Sequence, residues 1–192
     1  MSDPRARQPK NESCSHHPKS YKNAVQRSGE VMLVYTTRML WHLAMGFIKA
    51  PKVTTVRRSA DLAMRCSPLD IDTYFHMNNA QYLRVSELAR WRIFPATGIF
   101  GAVWKQKLMF LAVEQNITYL KPIAAFQKYV VSTTCDVYAD DKWLYYEHIF
   151  LQHPDEVPKD KEPKVFAKVN LRAVMKLPDG KTVKVRTCAG IV

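Results

Sequence analysis

The chain has 192 residues, enough for one domain with a full core and an extension. Apolar residues make up 47%, which excludes disorder throughout. Lys and Arg outnumber Asp and Glu by 29 to 17, a formal charge of +12 that favours anionic partners such as nucleic acid, an anionic membrane surface or a phosphorylated carrier.

Residues 1–30 are polar, carry His16-His17 and show no apolar period, so they read as a disordered basic tail. Residues 31–52 differ. From Val31 to Ala50 the chain is apolar over a spanning length, and it stops at Pro51. Arg38 and His42 lie one turn apart in its middle and fall, with Lys49, on one helical face as a narrow polar stripe. A charge at mid-bilayer costs roughly 2.5–3.5 kcal/mol. Three readings stay open. The helix packs on its own sheet or a partner subunit; it lies in the membrane interface, where Tyr35, Trp41 and Phe47 suit the depth; or it spans the bilayer or acts as a signal anchor. A cleaved signal peptide fits poorly, because the apolar run is late and interrupted.

Residues 53–192 read as one domain. A strand is predicted over Ser59–Leu69, with Leu62, Met64 and Cys66 alternating against Asp61, Ala63 and Arg65. After an Asp-rich loop, a helix is predicted from about Asn78 to Thr97, with Tyr82, Val85, Ala89, Ile93 and Ala96 on its apolar face. Pro95 bends its last turn and Gly98 stops it. The period then changes to two. Leu108–Leu120, Gln127–Tyr138, Trp143–Gln152 and Lys164–Lys176 read as four strands. Asp140-Asp141-Lys142 and Pro178-Asp179-Gly180 read as turns, Gln152–Pro163 as an exposed loop, and Lys181 as the start of a short final strand. The order β-α-β-β-β-β(β) places one long helix against one antiparallel sheet, an α+β layout.

Cys14, Cys66, Cys135 and Cys188 are far apart with no CxxC pair, which fits a reduced intracellular protein. Zinc-finger spacing and an RNP-type signature are both missing, so the charge points away from nucleic acid. The six glycines form neither a dinucleotide fingerprint nor a P-loop, and there is no Gly-x-Ser-x-Gly elbow or His-Glu-x-x-His motif. His148 and His153, at an exposed-looking strand end, lack a metal partner. The expectation is no cofactor and no metal.

The chemistry gathers in Asp70-Ile71-Asp72-Thr73-Tyr74-Phe75-His76-Met77-Asn78-Asn79-Ala80-Gln81-Tyr82. Two carboxylates, an imidazole and an Asn-Asn pair stand where a helix begins. A helix start offers unpaired backbone N–H groups and a partial positive charge, suited to an oxyanion. A neighbouring carboxylate can attack a carbonyl or activate water, so the run points to acyl transfer. Asp72 reads equally as a helix cap or turn residue, Asp70 as structural, and His76 as a loop histidine that orients the turn or donates to a carbonyl. Tyr82 reads as core, and Glu87 as a solvated helix position that could assist the site.

This run and element order resemble the hotdog-fold thioesterases of the 4-hydroxybenzoyl-CoA thioesterase-like group, and most of all the thioesterase superfamily member six branch. The resemblance covers roughly residues 55 to 185. It implies a sheet wrapped around a central helix, and a homodimer or higher homo-oligomer with active sites at subunit interfaces. It implies an acyl-CoA thioesterase of lipid metabolism, with Asp72 as nucleophile or general base and an oxyanion hole from the N–H groups of Asn78 and Asn79. His76 then joins the catalytic set, and Phe75, Tyr82 and Glu87 the substrate-binding set. Phe75 stands where the family's motif often has Gly, and a bulky side chain there narrows the acyl channel or crowds the loop. The alternative is a catalytically weak hotdog protein that binds acyl chains or acts as a membrane-associated scaffold. The location expected is cytoplasmic, peripheral to or anchored in an intracellular membrane.

Overall fold

Apolar side chains at alternate positions give each strand one buried face, and here five such strands form one antiparallel sheet. The computed structural model describes residues 18–49, 58–97, 99–137 and 142–185. Its elements run α1 (Pro18–Lys49), β1 (Arg58–Arg65), α2 (Asn79–Ile93), α3 (Ile99–Gln106), β2 (Met109–Tyr119), β3 (Lys128–Val137), β4 (Trp143–Gln152) and β5 (Val165–Lys176). The sheet order is β1-β3-β4-β5-β2. One register row reads Leu62–Val131–Phe150–Ala167–Tyr119 across all five strands, and its first four side chains are buried.

α2 supplies the rest of the core. Tyr82, Val85, Leu88, Ala89 and Ile93 are buried, the face expected from the three-four spacing with Leu88 added. Two apolar clusters result. One holds Tyr82, Val85, Tyr129, Val131 and Phe150, and the other Ile93, Cys135, Leu144, Tyr146 and Leu171. Between the two, Thr133 and His148 pair across β3 and β4, both buried. His148 is therefore a core residue, which corrects its reading as part of an exposed strand end; the alternation of β4 turns it inward.

Several boundaries also move. α1 begins at Pro18, so the break drawn between residues 30 and 31 falls inside one helix, while residues 1–17 lie outside the described residues. α2 ends at Ile93 and a 3-10 turn follows over Phe94–Thr97, as Pro95 demands. α3 was not foreseen. The Pro178-Asp179-Gly180 turn is present with Gly180 at φ 85, and among the described residues, which end at 185, an isolated Lys176–Thr182 bridge follows it rather than a strand. The Asp140-Asp141 turn lies outside the described residues.

Two compact units divide the chain, Met1–Thr37 and Arg38–Val192, and α1 crosses the division. Within the second unit Arg38 and His42 of the α1 stripe turn inward. Arg38 Nη1 lies 3.6 Å from the buried Asp70 carboxylate. His42, one turn on, is half-buried, and burial lowers its pKa, with the Arg92 and Arg38 charges adding to the effect. Gly46 is buried on the same face, where an added Cβ would meet the Arg92 carbonyl and the Pro95 ring. No described helix is long and apolar enough to cross a membrane.

Candidate active site

The loop between β1 and α2 is held by its own backbone. Asp70 N–H donates to Ser67 C=O at 2.9 Å, and Asn78 N–H donates to Asp70 C=O at 2.8 Å. The Asp70 side chain is buried and accepts from Ser67 N–H at 3.2 Å. Asp72 opens a second turn. Its N–H donates to His76 C=O at 2.9 Å, and its C=O accepts from Phe75 N–H at 3.1 Å. One carboxylate oxygen of Asp72 accepts from Tyr74 N–H at 2.9 Å, and the other has no protein partner among the described residues.

The turn places Phe75 at φ 60, left-handed backbone that favours glycine. Phe75 is 72% exposed and is not among the residues that line the Asp72 groove of this chain.

At the start of α2 the N–H groups have different fates. Asn78 N–H is taken by Asp70, and Ala80 N–H is capped by Asn78 Oδ1 at 2.9 Å. Asn79 N–H has no partner among the described residues. Asn78 is thus the cap, and Asn79 alone of these three keeps a free donor. Its carbonyl accepts from the Tyr119 hydroxyl at 3.1 Å, which pins the end of β2 to the helix start. The Tyr82 and Tyr119 rings meet edge to face at 5.3 Å. Burial pushes the Tyr82 hydroxyl above its ordinary pKa, and the Asp72 charge adds to that, so the phenol stays protonated.

Asp72, His76, Asn79 and Tyr82 line one groove of about 330 Å³, whose other wall holds Tyr119 at the end of β2 and Lys121 just beyond it. Glu87 is not there. It lines a smaller apolar recess of about 80 Å³ with Arg90, Trp91, Phe94 and Phe110, one turn and more along α2. Sequence reasoning missed Tyr74, Tyr119, Leu120, Lys121 and Pro122, which share the groove with Asp72. Cys66 is buried, and burial with the nearby Asp70 charge raises its thiol to about 11, which favours the protonated form. Among the described residues no cluster of His, Cys, Asp and Glu could hold a metal.

Residues 66–185 match a model of the thioesterase-like superfamily. Protein THEM6 of Drosophila melanogaster is 30% identical over 91 residues, 47% of this chain and 47% of its own. Protein THEM6 of Xenopus laevis is 25% identical over 134 residues, 67% of this chain and 64% of its own. The match thus spans half to two thirds of these relatives. The YbaW probable thioesterase of Escherichia coli superposes with a TM-score of 0.55 at 19% identity, covering 69% of this chain and 98% of that one. A 1,4-dihydroxy-2-naphthoyl-CoA thioesterase from Synechocystis gives 0.55 at 12%, covering 68% and 92%. The fold is the hotdog fold, as the loop and element order led one to expect. With 66–185 matched, the chain belongs to the thioesterase-like superfamily.

Proposed function

We propose that the protein hydrolyses acyl-CoA thioesters, with Asp72 as the catalytic carboxylate. The observation that carries this reading is one groove lined by both Asp72, with an uncommitted carboxylate oxygen, and Asn79, whose N–H at the start of α2 is unpartnered. As a nucleophile, Asp72 attacks the thioester carbon, the C–S bond breaks and a mixed anhydride forms, which water then opens. As a general base, it takes a proton from the attacking water. On either route CoA leaves as thiolate and is then protonated, one water is consumed, and the oxyanion accepts from Asn79 N–H, helped by the helix dipole. His76 lines the groove and its backbone carbonyl closes the Asp72 turn, so its role is to hold that turn. Lys121 on the groove wall, within a +12 chain, suits the phosphates of CoA.

The same reading includes a homodimer, a role in lipid metabolism and a reducing intracellular setting. Among the described residues β2 pairs only with β5 and leaves its other edge open, and exposed Met109, Leu111 and Val113 lie along it. The free, buried thiols of Cys66 and Cys135 suit the reducing compartment. Membrane contact belongs to it too.

Asp72→Asn tests the assignment. Free-thiol release from a panel of short, long and aromatic acyl-CoAs is expected to fall at least about a hundredfold, as for loss of a catalytic base. The melting temperature should stay within a few degrees. A folded variant with unchanged turnover would sink the role of Asp72.

A further inference from the structure

α1 inverts the usual amphipathic arrangement. In the compact unit it joins, the polar stripe of Arg38 and His42 faces the protein, and the opposite face carries apolar residues. Leu40 is 54% exposed, Trp41 64%, Phe47 53% and Ile48 74%. Soluble surfaces scatter such residues singly, whereas a row of them marks an interaction face. The face continues onto α3. The Phe47 and Phe100 rings meet edge to face at 4.9 Å, and Trp104, one turn beyond Phe100, is 79% exposed. Lys105 and Lys107, both exposed, follow Trp104 directly.

We infer that this face, built on Trp41, Phe47, Ile48 and Trp104, docks on an anionic phospholipid bilayer and lies in its interface. Charge selects that occupant. Residues 1–58 hold eleven Lys and Arg against three Asp and Glu, so most of the excess positive charge lies in α1 and its flanking sequence. Aromatic side chains beside lysines are the chemistry of the headgroup boundary, where an amphipathic ring is half wet and a cation meets lipid phosphate. Anionic lipid adds an attraction for each basic residue that salt screens. A bilayer-spanning role would instead put the Arg38–Asp70 pair in hydrocarbon, and the described helices lack a spanning apolar stretch. The inference specifies the membrane contact proposed above and rests on that part of the reading.

The test uses the full chain and two vesicle types, phosphatidylcholine alone and phosphatidylcholine with phosphatidylserine. Wild type is expected to sediment with the phosphatidylserine vesicles and to be released by salt. Trp41→Ser with Trp104→Ser should weaken that partitioning about tenfold or more, because two interfacial anchors are lost. Both positions are exposed, so the double variant should melt within a few degrees of wild type. Lys105→Glu with Lys107→Glu keeps the aromatic surface and should weaken, not abolish, the preference for phosphatidylserine, because the charge of residues 1–58 remains. Three results overturn the proposal. Folded wild type binds neither vesicle; the double tryptophan variant binds as wild type does; or that variant dissolves a wild-type oligomer, which would give the face to a second copy. Acyl-CoA turnover without vesicles, expected to match wild type in the double variant, separates failure here from failure of the thioesterase reading.

Discussion

Asp70 and Asp72 stand two residues apart, and the turn between them sends one carboxylate into the protein and the other into a groove. Asp70 is 2% exposed with Arg38 beside it, whereas Asp72 keeps an open oxygen. Phe75 and Phe126 are both left-handed, at φ 60 and 62, and Ala125 N–H donates to Phe75 C=O at 3.0 Å, so the two strained residues share one junction. Such backbone costs roughly 1–2 kcal/mol per non-glycine residue and persists where its surroundings fix it. A third residue carries a pH prediction. Burial, with the Arg90 charge adding to it, lowers the pKa of His148 to about 3; Thr133 Oγ1 lies 2.9 Å from Nδ1, and the Tyr146 ring stacks on it at 6.1 Å. Above pH 6.5 the ring is neutral in both folded and unfolded chains. Between 6.5 and 3 the unfolded chain takes up a proton that the folded one refuses, so stability falls as pH falls. The loss is on the order of 2 kcal/mol by pH 5. In His148→Gln this part of the drop should vanish, read as the difference between urea midpoints at pH 7 and pH 5. Equal drops in the two proteins would mean that His148 is charged in the fold. At this scale the sequence was uneven as a guide. The Asp72–Asn79 run could be read directly because its letters are local. The burial of Asp70 and His148 depends on partners dozens of residues away in sequence, and no local pattern encodes that.

The elements divide along the same line. Strands β2 to β5 stood within a residue or two of their alternating runs, and α2 followed its three-four spacing. α3 escaped because Ile99-Phe100-Gly101-Ala102-Val103-Trp104 is a short apolar run behind a Gly, too brief to show a period. The polar stripe of α1 was legible, but the direction it faces was not, since the buried Asp70 carboxylate beside Arg38 is distant in sequence. Gly46 makes the close approach of α1 to the end of α2 sterically allowed. Gly46→Val would drive a side chain against the Arg92 carbonyl and the Pro95 ring, 3.1 Å from its Cγ. Overpacking of this kind costs about 1–3 kcal/mol, at about 2–4 °C of Tm per kcal/mol for a chain of this size. Gly101→Ala on α3 is the control, because nothing lies within 4 Å of its added Cβ. A calorimetric scan should show a fall for Gly46→Val and none for Gly101→Ala; equal melting would mean that α1 does not seat there.

For the molecule as a whole, β2 is the open question of assembly. Only Phe110 and Ile117 along it are half-buried, and the rest of the strand is exposed on both faces. A long exposed edge of that kind is normally paired or blunted by charge. Leu111→Lys with Val113→Lys should therefore convert the proposed dimer to monomer in sedimentation equilibrium, with turnover falling alongside. A variant that stays dimeric would move the interface elsewhere. Fold class was readable at this scale from element order and one motif, whereas the surface that would assemble the expected homo-oligomer was not, because an unpaired edge is visible only once the sheet order is known. The Arg38–Asp70 pair has one more consequence, for modularity. The match to the superfamily model begins at residue 66, yet the cation beside the buried carboxylate of the loop comes from residue 38. A gene fusion or splice that carried only the matched span into another chain would leave that carboxylate buried and uncompensated. The matched span and the part of α1 that carries Arg38 therefore belong to one inherited piece.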